Sequence, residues 1–141
     1  MVVRNVYFVR HGETDDNKAG IMQGCLRDTL LNDKGREQAA ALQRANKLPA
    51  KYETYSSPMK RALETCQIAT LRDHDDIILD ERLVERNFGQ WTGKLKSECL
   101  ARLATIGVDI SEMGVSIDEI ETCLIAPNHK VSVASLALQN G

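Results

Sequence analysis

Short runs rich in β-branched or aromatic residues alternate along this chain with stretches of helical spacing. "VVRNVYFV" (2–9), "YETYSS" (52–57) and Ile77 to Leu79 within "DIILDERL" read as strands. Between the first two lies "NDKGREQAAALQRANKL", with Asn32 as N-cap, Ala39, Ala40, Leu42 and Ala45 at helical spacing, and Pro49 as the stop. Between the second and third lies "SPMKRALETCQIATL", in which Ser57 can cap the helix and Pro58 fits its first position. This alternation predicts an α/β fold, a mostly parallel sheet with helices on its faces. Beyond Gly93 the pattern weakens. "KLKSECLARLATI" and "SIDEIETCLI" read as helices, and "KVSVASLAL" as a last strand or a frayed tail.

At 141 residues the chain reads as one domain, 1–141, with no internal repeat or linker. Only six aromatic residues are present, so aliphatic side chains must fill most of its core. A net charge of -2, without a basic block, lacks the footprint of a general nucleic-acid binder. No apolar run approaches the roughly 20 residues of a helical membrane crossing. Arg4, Asn5 and Arg10 interrupt any signal-peptide core, so a cytoplasmic chain is expected. Cys25, Cys66, Cys99 and Cys123 are too scattered for a metal pair and read as reduced thiols.

The first strand ends on Arg10, His11 and Gly12 in "VYFVRHGETDDN". Ligands of open α/β sheets bind beyond the carboxyl ends of the strands. An arginine there neutralises phosphate oxygens, an imidazole attacks or relays a proton, and glycine lets the backbone approach. A lone R-H-G also fits a histidine merely satisfied by hydrogen bonds. A second arginine, Arg61, falls in the first turn of the helix opened by Ser57, where free amides and the helix dipole favour anions. Glu85, in "RLVERNFGQWTG", precedes Phe88 and Trp91. It reads either as a desolvated proton donor or as a surface carboxylate paired with Arg82 or Arg86.

In order, "RHGETDDN", "QG", "LNDKGREQA", "SSPMKRALET" and "RLVERNFGQWTGK" resemble the motifs of the histidine phosphatase superfamily, the phosphoglycerate mutase-like proteins, across most of residues 4–94. The resemblance implies a three-layer α/β/α sandwich, incomplete at its carboxyl end. It makes His11 a nucleophile that forms a phosphohistidine, and Glu85 the donor to the leaving oxygen and later the base for water. Arg10 and Arg61 would hold the phosphoryl group, with Asn17, Gln23 and Gly24 completing the pocket wall. It implies a small phosphorylated substrate, no cofactor and no metal, and the loop 12–32 looks more like the small phosphatases than the mutases.

Residues 95–141 diverge from the family or are truncated. The family's second histidine would fall at Leu136; His74 lies in an acidic loop, and His129 precedes the candidate strand. The expectation is therefore a phosphomonoester hydrolase of reduced activity, on a shortened chain. The alternatives are a catalytically silent phosphate-binding or dimerising module, and mutase-type phosphoryl transfer. An unpaired sheet edge would favour self-association, so a homodimer is compatible with the sequence.

Overall fold

A computed structural model describes residues 6–48 and 51–106 of the chain. The elements are α1 (Asp15–Ala19), α2 (Asp33–Arg44), β1 (Tyr55–Ser56), α3 (Lys60–Thr70), β2 (Ile78–Leu79) and α4 (Lys96–Thr105), with 3-10 turns at Gly24–Leu26, His74–Asp76, Glu81–Leu83 and Gly89–Trp91. Strands β1 and β2 pair in parallel, Tyr55 opposite Ile78 and Ser56 opposite Leu79. The crossover between them is α3, so β1, α3 and β2 form the βαβ unit expected of an α/β fold. No helix of the described residues is long and apolar enough to cross a membrane.

The expected first strand does not form in its described part. Residues 6–10 join no ladder, and Val6, Tyr7, Phe8 and Val9 are all about half exposed or more. Strand propensity becomes a strand only when a partner supplies the ladder and covers the side chains. Among the described residues that ladder is made by β1 and β2 alone. The second helix expected at 116–125 and the strand at 130–138 lie outside the described residues.

Helix α2 opens as expected, with the Asn32 side chain accepting from the Gly35 amide at 2.9 Å. It ends at Arg44, short of Pro49, because Asn46 turns left-handed (φ 48°) just beyond the Ala45 cap. Helix α3 begins later than expected. The Ser57 hydroxyl accepts the Met59 amide at 3.3 Å, making a local turn, and Met59 becomes the N-cap residue. The carboxylate of Asp28, from a distant loop, takes the Lys60 amide at 2.7 Å. A tertiary acceptor has thus replaced the local cap.

Helices α2 and α3 pack against each other. Glu64 of α3 pins them at a second level, accepting from the Arg36 side chain at 2.6 Å and from the Leu31 amide at 2.9 Å. The buried face of α3 is Arg61, Thr65 and Ala69, one residue per turn. Elsewhere Met22, Phe88 and Cys99 form a small core with Trp91 against it. Backbone bonds from Met22 to Lys94, Gly93 to Met22 and Lys96 to Gly20 tie the loop after α1 to the start of α4. Segments 20–24 and 85–96 are therefore fixed to one another, and both reach Arg61 in the first turn of α3.

Candidate active site

Three residues from distant parts of the sequence meet at the start of α3. Arg61 is 1% exposed. Its Nε donates to Nε2 of His11 at 3.2 Å, its Nη1 to the Arg27 carbonyl at 2.9 Å, and its Nη2 to the Gly24 carbonyl at 3.1 Å and to Glu85 Oε2 at 2.8 Å. The planar guanidinium fork suits this arrangement, since its donors point in fixed directions and each of its three nitrogens meets an acceptor. Desolvating such a charge is costly unless it is paired and hydrogen-bonded, and here it is both.

The state of His11 follows from its two ring nitrogens. Nδ1 lies 2.7 Å from the Gly12 carbonyl oxygen, which can only accept, so Nδ1 carries the proton. Nε2 accepts from Arg61 and therefore holds the lone pair. Burial lowers the imidazole pKa below its ordinary 6.5, and the charges of Arg61 and Arg10 push the same way; the Gly12 carbonyl and Glu85 oppose them. The result is a neutral, oriented imidazole whose lone-pair nitrogen lies beside a guanidinium.

Backbone contact fixes where this imidazole stands. A Cβ on Gly12 would lie 2.4 Å from the Gly35 carbonyl oxygen, and one on Gly35 would lie 2.1 Å from that of Glu13. The turn after His11 therefore rests directly on the first turn of α2, and neither position accommodates a side chain.

Glu85 is 40% exposed on its side chain and paired with Arg61. Neither sequence reading of this residue anticipated that partner. Phe88 packs instead with Met22 and Cys99, and Arg82 is engaged by Asp80.

Of the remaining expected site residues, Gly24 contacts Arg61, while Asn17 and Gln23 meet at Thr14. Arg10 is exposed and close enough to act on the His11 charge. Asn17 completes a capping box at the start of α1: its Oδ1 accepts from the Thr14 amide at 3.1 Å and the Thr14 hydroxyl at 2.9 Å. That leaves Nδ2 as the donor end of its amide. Gln23 is buried, donating to the Thr14 hydroxyl at 2.8 Å and accepting from Thr29 at 2.6 Å. It braces the loop. Gly24, with φ 57°, has no room for a Cβ, which would meet Phe88 at 2.6 Å, and its carbonyl serves Arg61.

The free amides expected at the start of α3 are largely taken. Asp28 holds the Lys60 amide, and the Met59 carbonyl accepts from Ala62 and Leu63. The positive charge at this helix end is thus supplied by the Arg61 side chain. His74 is exposed beside Asp75, as its acidic loop suggested, and His129 and Leu136 lie outside the described residues.

A neutral histidine, a buried arginine and a carboxylate thus converge at the start of α3, an arrangement able to engage an anion such as a phosphoryl group. The family model of the histidine phosphatase superfamily (branch 1) matches residues 6–112, and the chain belongs to that superfamily. It is 36% identical over 90 residues to a 2,3-bisphosphoglycerate-dependent phosphoglycerate mutase of Thermoplasma acidophilum, covering 64% of this chain and 45% of that protein. It is 41% identical over 96 residues to a glucosyl-3-phosphoglycerate phosphatase of Mycolicibacterium vanbaalenii, covering 66% of this chain and 41% of that protein. Among solved structures it resembles the phosphoserine phosphatase of Entamoeba histolytica in complex with 3-phosphoglyceric acid. That match has a TM-score of 0.56 and 33% identity, covering 73% of this chain and 47% of the other. The chain spans about half the length of the relatives it matches.

Proposed function

We propose that this chain is a metal-independent phosphomonoester hydrolase that works through a phosphohistidine on His11. The observation that carries the reading is that one buried guanidinium, Arg61, contacts both the His11 nitrogen that holds the lone pair and the Glu85 carboxylate. Nucleophile, anion holder and proton donor thereby share one small volume.

The steps follow from those groups. Nε2 of His11 attacks phosphorus, and the bond to the ester oxygen breaks. The departing oxygen takes a proton from Glu85, which a water then attacking the phosphohistidine returns as Glu85 acts as base. Arg61 and Arg10 meet the charge on the phosphoryl oxygens, and the Asn17 amide adds a donor. The bond from Arg61 Nε to His11 Nε2, at 3.2 Å, is long enough for an entering phosphoryl group to displace it.

The substrate is a small phosphate monoester; the relatives named for phosphoserine and glucosyl-3-phosphoglycerate support that class. With leucine at 136, where the family's second histidine would fall, low turnover is expected. One missing donor costs about 10²- to 10³-fold. The decisive experiment is brief incubation with radiolabelled p-nitrophenyl phosphate. An acid-labile, alkali-stable label that disappears in His11→Ala is expected. Phosphate binding without any label would overturn the hydrolase and leave a silent binding module; transfer of the label to a second hydroxyl would indicate a mutase.

A further inference from the structure

Thr65 lies four residues after Arg61 on the buried face of α3 and is 5% exposed. Its hydroxyl does two things. It donates to the Arg61 carbonyl at 2.7 Å, and it accepts the Gly12 amide at 2.9 Å, across 53 positions of sequence. A threonine hydroxyl that bonds back to the carbonyl four residues earlier is common in helices. Here the same oxygen also receives an amide from the turn that carries the nucleophile.

The bonds close a ring. From the Thr65 oxygen the path runs through the Gly12 amide to His11, from His11 Nε2 to Arg61 Nε, along the Arg61 side chain to its own carbonyl, and back to Thr65. We propose that Thr65 is a positioning residue: its hydroxyl, held between the Gly12 amide and the Arg61 carbonyl, sets the distance between the His11 imidazole and the Arg61 guanidinium. The inference rests on the phosphohydrolase reading for its kinetic consequence, though the ring itself is independent of any reaction. Since the donor and acceptor roles of the oxygen are both assigned, a hydroxyl is required and a methyl of equal size will not serve.

The test compares Thr65→Val, which keeps the branched shape, with Thr65→Ser, which keeps the hydroxyl, both in the full 141-residue chain. For p-nitrophenyl phosphate, kcat is expected to fall about 10- to 100-fold in Thr65→Val, as for a catalytic group displaced by about 1 Å, with KM changing far less. Thr65→Ser is expected to stay within about threefold of wild type, since it preserves both hydrogen bonds. Equal losses in the two variants, or no loss in Thr65→Val, would overturn the proposal.

A readout independent of turnover is the His11 titration followed by NMR. It should move up toward its ordinary value in Thr65→Val as the untethered turn lets His11 draw away from Arg61, and stay put in Thr65→Ser. If the wild-type chain forms no phosphohistidine, the hydrolase reading fails while this titration still decides the role of Thr65. In the unsubstituted protein the Gly12 amide must also exchange slowly with solvent. An amide exchanging as fast as those of exposed loops would overturn the proposal without any variant.

Discussion

Arg61 and His11, 50 positions apart, are joined by a single hydrogen bond from Nε to Nε2. The bond does two jobs at once: it places a fixed positive charge beside the imidazole, and it holds the ring's lone pair toward the guanidinium. Both favour the neutral histidine.

The first consequence concerns pH. With the His11 pKa below 6.5 in the folded protein, the unfolded chain binds a proton that the folded chain does not throughout the interval between the two values. Stability should therefore fall as pH is lowered from 6.5 through that interval, and the loss should be absent in His11→Gln. The acid limb of kcat/KM should also lie below pH 6.5. Chemical denaturation at several pH values checks the first expectation, and a pH–rate profile checks the second.

Glu85→Gln removes the carboxyl group proposed as proton donor and keeps the shape. p-Nitrophenolate leaves readily without a proton, whereas an alkoxide does not. Read on kcat/KM, which reports departure of the leaving group and not the later attack of water, the substitution should cost about tenfold or less for p-nitrophenyl phosphate and about 10²- to 10³-fold for an alkyl phosphate such as phosphoserine. Equal losses on the two substrates would show that Glu85 serves only to hold Arg61.

Removing the guanidinium should damage both fold and activity. Arg61→Met leaves the Gly24 and Arg27 carbonyls without their donor, and each buried unsatisfied acceptor costs about 1–3 kcal/mol. Water can take over the half-exposed Glu85 carboxylate, so the total expected from urea denaturation is about 2–4 kcal/mol. Arg61→Lys keeps the charge without the fork. It should fold better than Arg61→Met and still lose about 10²-fold or more in kcat/KM.

Gly35→Ala sets two effects against each other. Alanine is favoured over glycine in a helix interior by about 1 kcal/mol. The new Cβ, however, would sit 2.1 Å from the Glu13 carbonyl oxygen, a backbone atom that can move only with the turn that carries His11. The clash should prevail: the variant is expected to be less stable by more than about 2 kcal/mol, with His11 displaced. A thermal melt no lower than wild type would contradict this packing.

The convergence of His11 and Arg61 at the candidate site was legible in the sequence to the extent that these residues fall in local motifs. Arg10, His11 and Gly12 end an apolar run, and Arg61 lies one turn into a marked helix, so their types and order were enough. The partners of those residues were not legible, because they are set by tertiary approach. Nothing near Asp28 announces that it caps α3, and nothing near Glu85 announces Arg61. Thr65 does carry a signal in the sequence, since it stands at i+4 from Arg61 on the same helical face. The first strand misled for a related reason: Val6 to Val9 have the composition of a strand, but a ladder needs a neighbour, and composition does not name one.

The backbone contact between Gly12 and Gly35 has a mechanical meaning. Where two side chains interlock, their rotamers can shift, and the spacing drifts with temperature and with changes in the surrounding core. Two peptide backbones in van der Waals contact have no such slack, so α2 acts as a hard stop against which the reactive turn is seated. Changes elsewhere in α2, as long as they spare its first turn, can alter how firmly the helix is held while leaving the seat of the histidine where it is.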